Sequence, residues 1–398
     1  MTDTTGQRRT DPRITVLHHF VGEDRSAMEA LLDVVRPAVP GARIAERSDA
    51  QVRLRAKVDI LSGDPPNVFE TWPGQNLRPY LDADIVSDIT DLWERAGYTD
   101  VYFDHAKETV RYDGRYRAIP TNVQRQNNLF YDVELLERAG VDPARLDTPE
   151  SLRDALEAVE EATDAAGLLL PQKRPWPALD LWDMLVLSHG DAATYEAIFR
   201  GSEPARHRDI VDAALDSLAA LRAHSPDDAL YDGWQAGLGR FAEGDAAFFA
   251  MGDWAGGVLK NRDGYEYGSD WGCVPFPGTA DTYQVVMDAF LMPSTASETD
   301  VTERVLREIG SAEAIAQFTG ARGAVPPRSD VPTDRYSPFF RDQLRAYQTA
   351  TTRVNATRGL GVPPAQRVEI LTAIAGFLDA GDTDRATDPI VETLAGGN

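Results

Sequence analysis

The sequence predicts an α/β protein with two lobes, and three observations support this fold class. The chain has 398 residues, which exceeds the roughly 100 to 200 residues of one ordinary domain. Strand-like and helix-like segments alternate from residue 14 onward, as expected for a parallel or mixed sheet wrapped by helices. Extended segments return in the last third after a long helical stretch, so the chain is expected to supply core residues to two lobes in turn.

The first predicted elements form two strand–helix repeats and a third strand. Apolar residues at helical spacing define each helix, and prolines, glycines and polar turns bound the elements. The predicted elements are a strand over 14–19, a helix over 28–35 that Pro37 stops, a strand over 43–46, a helix over 52–61 ending at Gly63, and a short strand at Val68 and Phe69.

The rest of the chain is mostly helical. Amphipathic spacing predicts helices over 151–163, 179–187, 211–221, 301–309 and 368–378, and extended segments over 168–170, 246–250 and 285–291.

Composition and charge narrow the class of protein. The net charge is −24, and only Lys57, Lys107, Lys173 and Lys260 are lysines. Acidic residues are spread along the chain, as in a salt-adapted globular protein whose surface stays hydrated. A nucleic-acid-binding protein would need a basic stripe with aromatic residues, and the sequence has none.

The N-terminal segment over residues 1–13 is predicted to be disordered. It is polar, contains Arg8 and Arg9, and is not followed by an apolar stretch of signal-peptide length or by a lipid-modified cysteine. A removed leader, a misplaced start and an intracellular location all remain open at this stage.

Searches for catalytic and metal-binding patterns find none that is specific. The chain has no P-loop and no GxSxG sequence, and its 64 acidic residues produce carboxylate pairs by chance. Its one cysteine, Cys273, permits no intrachain disulfide, and the adjacent His18 and His19 point to opposite faces of a strand. We therefore expect a protein that is not an enzyme and that uses neither a cofactor nor a metal.

Four segments place aromatic and planar polar residues together at turns. Aromatic rings can cover the apolar faces of sugars, while carboxylates, amides and guanidinium groups bind hydroxyls through paired hydrogen bonds. Asp253 is expected to cap the helix that begins near Trp254. The segments are 68–74, 119–131, 251–257 and 287–290.

Five stretches occur together in an order and spacing that resemble a known family. They are 63–68, 119–132, 244–254, 275–279 and 322–326. The chain resembles the carbohydrate branch of the extracellular solute-binding proteins of ABC importers, with most likeness to glucose-binding members. The resemblance implies a periplasmic-binding-protein-like fold, in which three chain crossings form a hinge between two lobes and the ligand cleft lies between them.

The resemblance also implies domain boundaries. The first lobe is expected to comprise residues 14–124 plus 288–325, and the second lobe 125–287 plus 326–398. The crossings are placed near 124–128, 283–288 and 323–328.

Residue by residue, the family positions that contact sugar fall on twelve residues of this chain, with His18 and Glu23 as further candidates. Arginines at several of these positions would also suit an anionic sugar, because a guanidinium group is planar and forked. The twelve are His19, Glu70, Trp72, Gln124, Arg125, Asn127, Trp176, Asp180, Trp254, Asp288, Arg322 and Arg358.

The resemblance implies a monomeric, extracytoplasmic, cell-surface-associated receptor that closes on a small sugar, with glucose or a similar monosaccharide favoured, and then docks on ABC permease subunits. Two alternatives remain open. The same fold could bind a sugar acid or a non-sugar solute such as a peptide, polyamine or metal, and a glycoside-processing enzyme would need two carboxylates facing one glycosidic bond.

Overall fold

The computed structural model describes residues 11–22, 25–201, 203–334 and 336–396. Two lobes with separate cores are connected by a small third sheet. The first core draws on residues from 14 to 119 and from 289 to 318, and the second on residues from 129 to 276 and from 354 to 394. The prediction of an α/β fold with two lobes is therefore confirmed.

The first lobe is a five-stranded mixed sheet with helices packed against it. Its strands are β1 (Arg13–His18), β2 (Arg43–Ser48), β3 (Val68–Thr71), β6 (Ile119–Pro120) and β13 (Ala289–Leu291). β1 pairs in parallel with β2 and β3, and β13 pairs antiparallel with β3 and β6, which gives the order β2-β1-β3-β13-β6. Its other elements are the hairpin β4 (Arg111–Tyr112) and β5 (Arg115–Tyr116), and the helices α1 (Arg25–Ala38), α2 (Val52–Leu61), α3 (Arg78–Asp82), α4 (Thr90–Arg95), α5 (Tyr98–Val101), α6 (Asp104–Val110), α14 (Thr299–Ile309) and α15 (Ala312–Arg322).

The second lobe is a four-stranded sheet in the order β11-β8-β10-β9, surrounded by helices. Its strands are β8 (Asn128–Asp132), β9 (Ala166–Leu168), β10 (Ala246–Ala250) and β11 (Trp271–Pro275). Its helices are α7 (Val133–Ala139), α8 (Pro149–Ala162), α9 (Trp176–His189), α10 (Ala192–Arg200), α11 (Arg208–Arg222), α12 (Trp234–Phe241), α13 (Trp254–Leu259), α16 (Pro338–Thr349), α17 (Pro364–Ala380) and α18 (Thr383–Ala395).

The connecting sheet contains β7 (Gln124–Arg125), β12 (Thr282–Val286) and β14 (Thr352–Asn355) in the order β14-β12-β7. β7 lies between β6 of the first sheet and β8 of the second in the chain, and β12 is followed directly by β13. A bridge between Val123 and Val325 brings a third segment alongside. Three chain segments therefore run side by side between the lobes.

The two ends of α15 fix the position of Arg322, one of the residues predicted to contact the ligand. The Ser311 side chain accepts a hydrogen bond from the N–H of Ala314 at the start of α15, and Gly323 ends this helix with φ +70°. A Cβ on Gly323 would lie 2.4 Å from the Cα of Gly257, so only glycine fits there. Arg322 is thereby fixed as the last residue of α15.

Two predicted element boundaries were wrong. α1 continues through Pro37 to Ala38, because a proline in the last turn removes little from a helix that is about to end. The predicted strand over 285–291 is interrupted at Met287 and Asp288. The N–H of Asp288 donates to the side chain of Asn122 (2.7 Å) instead of to a strand, as the chain passes from one sheet to the other.

The predicted cap at Asp253 was also wrong. Its side chain caps no N–H of α13 and instead accepts a hydrogen bond from the N–H of Arg125 (3.0 Å), which ties α13 to the connecting sheet. The segment over residues 1–10, most of the predicted disordered N-terminus, lies outside the described residues. Within the described ranges, no helix has both the length and the apolar character needed to cross a membrane.

Candidate ligand-binding cleft

The first lobe brings polar side chains together at one edge of its sheet. His19 directly follows β1, and Glu70 and Trp72 lie at the end of β3, which is parallel to β1. β13 is antiparallel to β3, so Asp288, which precedes it, reaches the same edge. Ligands of open α/β sheets bind outside the carboxyl ends of the strands, and this edge faces the second lobe.

A cavity of about 570 Å³ lies between the lobes at this edge, within the size range of small-molecule sites. Both lobes contribute to its walls. Eight of the twelve predicted residues line it: His19, Trp72, Gln124, Trp176, Trp254, Asp288, Arg322 and Arg358.

Glu70 lies behind the cavity wall and holds His19 in place. Its carboxylate lies 2.6 Å from Nδ1 of His19, and Glu70 is fully buried. Burial alone would raise the pKa of Glu70, but the charge and hydrogen bond of His19, together with Arg53 and His18, outweigh it and lower the pKa. Glu70 is therefore a buried carboxylate that orients the imidazole toward the cavity.

Asp288 is the acidic group on the cavity surface. Its carboxylate accepts a hydrogen bond from the side-chain amide of Asn122 (2.7 Å). Burial raises the pKa of Asp288, and His19 opposes this shift. One ligating atom from each of His19, Glu70 and Asp288 lies within 4.8 Å of the others, a spacing that would admit an ion.

In the second lobe, Arg358 lies against two tryptophans. Its guanidinium carbon is 4.0 Å from the ring centroid of Trp176 and 4.4 Å from that of Trp254, within cation–π range. Asp180, also buried, accepts a hydrogen bond from Arg358 (2.7 Å). Burial raises the pKa of Asp180, while Arg358 and Arg367 oppose the shift. Asp180 thus acts on the cavity by orienting Arg358.

The lobes contact each other beside the cavity. A Cβ on Gly359 would lie 2.3 Å from Cε3 of Trp72, so the Gly359 backbone covers this indole. The N–H of Gln75 donates to the carbonyl of Leu360 (3.1 Å). Because the first-lobe turn after β3 contacts the segment after β14, the structure shows a closed arrangement of the cleft.

Some predicted residues lie away from the cavity lining. Arg125 and Asn127 are buried at the connecting sheet, where Arg125 Nε donates to Asn127 (3.1 Å) and Asn127 donates to the carbonyl of Thr282 (2.9 Å). His18 is buried with Nε2 3.4 Å from Glu46, on the opposite face of the strand from His19, as predicted. Glu23 lies outside the described residues.

Sequence reasoning missed other lining residues. Arg53 on α2, Arg367 on α17, and Trp234 and Gln235 on α12 all line the cavity. Trp234, in the first turn of α12, packs against buried residues of the second lobe and also faces the cleft. Arginines on helices look like ordinary surface residues in a sequence, and only the fold brings these positions together.

Comparisons with known proteins agree with a ligand-binding cleft between two lobes. The family of bacterial extracellular solute-binding proteins matches residues 45–344. The xylose/arabinose-binding protein XacG of Haloferax volcanii is 28% identical over 397 residues, covering 97% of this chain and 85% of that protein. A protein of Brucella melitensis described as a probable sugar-binding periplasmic protein is 26% identical over 313 residues, covering 77% of this chain and 71% of that protein.

Solved structures support the fold. A chitin oligosaccharide binding protein superposes with a TM-score of 0.84 at 18% identity, covering 97% of this chain and 98% of that one. Members of the matched family bind solutes, so the prediction that this chain is a binding protein and not an enzyme is confirmed. The chain belongs to the family of bacterial extracellular solute-binding proteins.

Proposed function

We propose that this protein is the sugar-binding component of an ABC importer and that it binds a small carbohydrate, of the size of glucose or a similar monosaccharide, in the cleft. One observation carries the proposal. Four of the seven tryptophans of the chain, Trp72, Trp176, Trp234 and Trp254, line a single cavity together with polar side chains from both lobes. Such a combination suits a ligand with apolar faces and hydroxyl edges.

The roles of the lining residues follow from their positions. Asp288, Gln124 and His19 are proposed to hydrogen-bond hydroxyl groups. Arg358 covers the rings of Trp176 and Trp254, so the sugar is proposed to contact a wall of stacked guanidinium and indole groups.

We propose that ligand binding stabilises closure by a population shift. Ligand bonds can reach both walls only when the lobes are together, so the sugar binds the closed state more tightly than the open one. The hinge is placed where the three segments cross, with the first lobe as 14–124 plus 288–325 and the second as 125–287 plus 326–398. The pairing of β7 with β12 and the bridge of Val123 to Val325 support these boundaries.

The family match supports further proposals about context. The closed monomer is proposed to dock on permease subunits at the outer face of the cell membrane, as expected for an extracellular solute-binding protein. A salt-adapted source is supported by the net charge of −24 and by the relative from Haloferax volcanii.

Tryptophan fluorescence is the direct test, because four indoles line the cavity. Glucose, xylose, arabinose, galactose, glucuronate, galacturonate and a set of disaccharides would be titrated at high salt. We expect saturable quenching or enhancement by at least one monosaccharide. A neighbouring cavity of about 520 Å³ shares Gln235 and Arg322 with the first, so tighter binding of disaccharides would correct the ligand size. No response to any saccharide, neutral or acidic, would contradict the proposed function.

A further inference from the structure

The cleft is basic in a strongly acidic protein. Five arginines line the cavity between the lobes, at positions 53, 174, 322, 358 and 367, whereas Asp288 is the one carboxylate in this lining among the residues that the structure describes. The chain as a whole carries a net charge of −24. Charges of one sign concentrated in a cleft attract ligands of the opposite sign.

Three of these arginines form a compact group around the tryptophans, which we call the arginine cluster: Arg53, Arg358 and Arg367. The guanidinium carbon of Arg53 lies 3.7 Å from the ring centroid of Trp72, and that of Arg367 lies 5.6 Å from the same centroid. The cluster therefore brings together α2 of the first lobe, α17 of the second, and the segment after β14.

The cluster retains unused hydrogen-bonding capacity. Nη1 of Arg53 and Nε of Arg367 are buried and have no hydrogen-bond partner among the described residues. A buried donor without an acceptor costs about 1–3 kcal/mol, and more when it is charged. Such groups in a folded protein call for an explanation, such as an unseen ion or a ligand.

The guanidinium groups also destabilise one another. Burial lowers the pKa of Arg367 to about 10; Asp180 opposes the shift, while Arg358 and Arg53 add to it. Burial likewise lowers the pKa of Arg53, with Glu70 opposing the shift and Arg358 adding to it.

The nearby acids offset part of this positive charge, because Asp180 pairs with Arg358 and the charges of Glu70 and Asp288 act on Arg53. Glu70 is engaged with His19 (2.6 Å) and Asp180 with Arg358 (2.7 Å). Burial raises the pKa of Asp180. A neutral sugar hydroxyl could accept a hydrogen bond from Arg53 or Arg367, but it would not supply the negative charge with which a guanidinium group forms its strongest hydrogen bonds.

We propose that the ligand of this cleft is an acidic sugar whose anionic group, a carboxylate or a phosphate, is bound by Arg53, Arg358 and Arg367. The proposal rests on the proposed sugar-binding function and specifies its ligand class. The guanidinium fork matches both anions, and charge-assisted hydrogen bonds are roughly twice as strong as neutral ones. The bound anion would supply acceptors for the buried nitrogens and reduce the repulsion within the cluster.

Isothermal titration calorimetry with matched ligands tests the proposal. Glucose would be compared with glucuronate and glucose 6-phosphate, and galactose with galacturonate, at one fixed ionic strength because salt screens these interactions. We expect at least one acid to bind tighter than its neutral partner by roughly tenfold or more. The affinities for glucuronate and for glucose 6-phosphate then show whether the cluster prefers a carboxylate or a phosphate.

Variants assign the effect to the cluster. Arg53→Gln and Arg367→Gln should each reduce the ratio of acid affinity to neutral-sugar affinity by roughly tenfold. Arg55→Gln is the matched control, because Arg55 lies on the same helix with a half-exposed side chain that pairs with Asp59. It should leave both affinities unchanged.

The outcomes separate the two proposals. Neutral sugars that bind as tightly as their acids, or more tightly, would overturn the acidic ligand while leaving a sugar receptor. Binding of neither neutral nor acidic saccharides would overturn both. An acid preference that survives both cluster variants would overturn the assignment to Arg53 and Arg367.

Discussion

The first crossing segment, residues 122–128, and the arginine cluster are both rich in buried polar groups, but they differ in where their hydrogen bonds go. In the crossing segment, the side chain of Asn127 accepts hydrogen bonds from Arg125 Nε and from the N–H of Gln284, and it donates one to the carbonyl of Thr282. In the cluster, Arg53 and Arg367 each keep a buried nitrogen without a partner among the described residues. The crossing segment also contains buried atoms without a partner, among them Gln126 Oε1 and Asn128 Oδ1, but these belong to neutral amides. In the cluster the atoms without a partner are donors of charged guanidinium groups, which cost more to leave unpaired.

A buried carboxylate beside the crossing segment, that of Asp183, is also well supplied with hydrogen-bond donors. Asp183 accepts hydrogen bonds from Gln126 (2.8 Å), Tyr195 (2.7 Å) and the backbone of Thr357 (3.0 Å). These bonds join α9, α10, the crossing segment and the chain that leads to Arg358. A buried carboxylate whose two oxygens are both hydrogen-bonded in this way fixes the geometry on which the cleft depends.

The largest expected effect is on stability at the crossing. Asn127→Ala should lower the free energy of unfolding by about 3 kcal/mol, because the Gln284 N–H and the Arg125 Nε–H would lose their acceptor. Ligand affinity of the folded protein should stay within about twofold. Chemical denaturation and calorimetry measure the two quantities.

The control for this variant is Asn261→Ala. Asn261 is exposed and makes a single side-chain bond to the carbonyl of Gly257 (3.2 Å), so its loss should change stability by less than about 0.5 kcal/mol. If Asn127→Ala left the stability unchanged but greatly weakened ligand binding, Asn127 would be a ligand-binding residue. That result would contradict the distinction between the crossing segment and the arginine cluster.

A smaller effect is expected at the lobe contact. Gly359 has φ +141°, and an added Cβ would lie 2.3 Å from Trp72, so Gly359→Ala should disfavour closure. We expect affinity to fall by roughly tenfold, about 1.4 kcal/mol, chiefly through faster dissociation. Stopped-flow fluorescence measures the rates.

Gly376→Ala is the matched control for Gly359→Ala, because a Cβ at this position on α17 meets no atom within 4 Å. It should bind the ligand as the unchanged protein does. Equal affinity in Gly359→Ala would show that the Trp72 contact does not contribute to closure.

Much of the fold could be predicted from the sequence, because strand and helix periods are local. β10 begins and ends where the pattern predicted, at Ala246 and Ala250, and α2 ends before Gly63 as expected. The interruption at Asp288 could not be predicted, because it depends on a hydrogen bond to Asn122, 166 residues away in the chain.

The site was predictable only in part. Trp72 and Trp254 stand in turn segments whose local sequence indicates a site. Arg53 and Arg367 lie on helices whose local sequence does not indicate a binding site. They come together only because the two lobes contact each other. Arg125 was predicted from the same polar run as Gln124, yet adjacent residues of a strand face opposite sides, and only Gln124 reaches the cavity.

We propose that sugar binding closes the two lobes about a hinge that itself stays intact. Amide hydrogen exchange tests it at two positions. The Gln75 N–H bonds to the Leu360 carbonyl across the cleft (3.1 Å), whereas the Gln126 N–H bonds to Gln284 within the connecting sheet (2.8 Å). A saturating sugar should slow exchange at Gln75 and leave the opening equilibrium at Gln126 nearly unchanged. Exchange at Gln75 that is the same with and without bound sugar would contradict closure on the ligand.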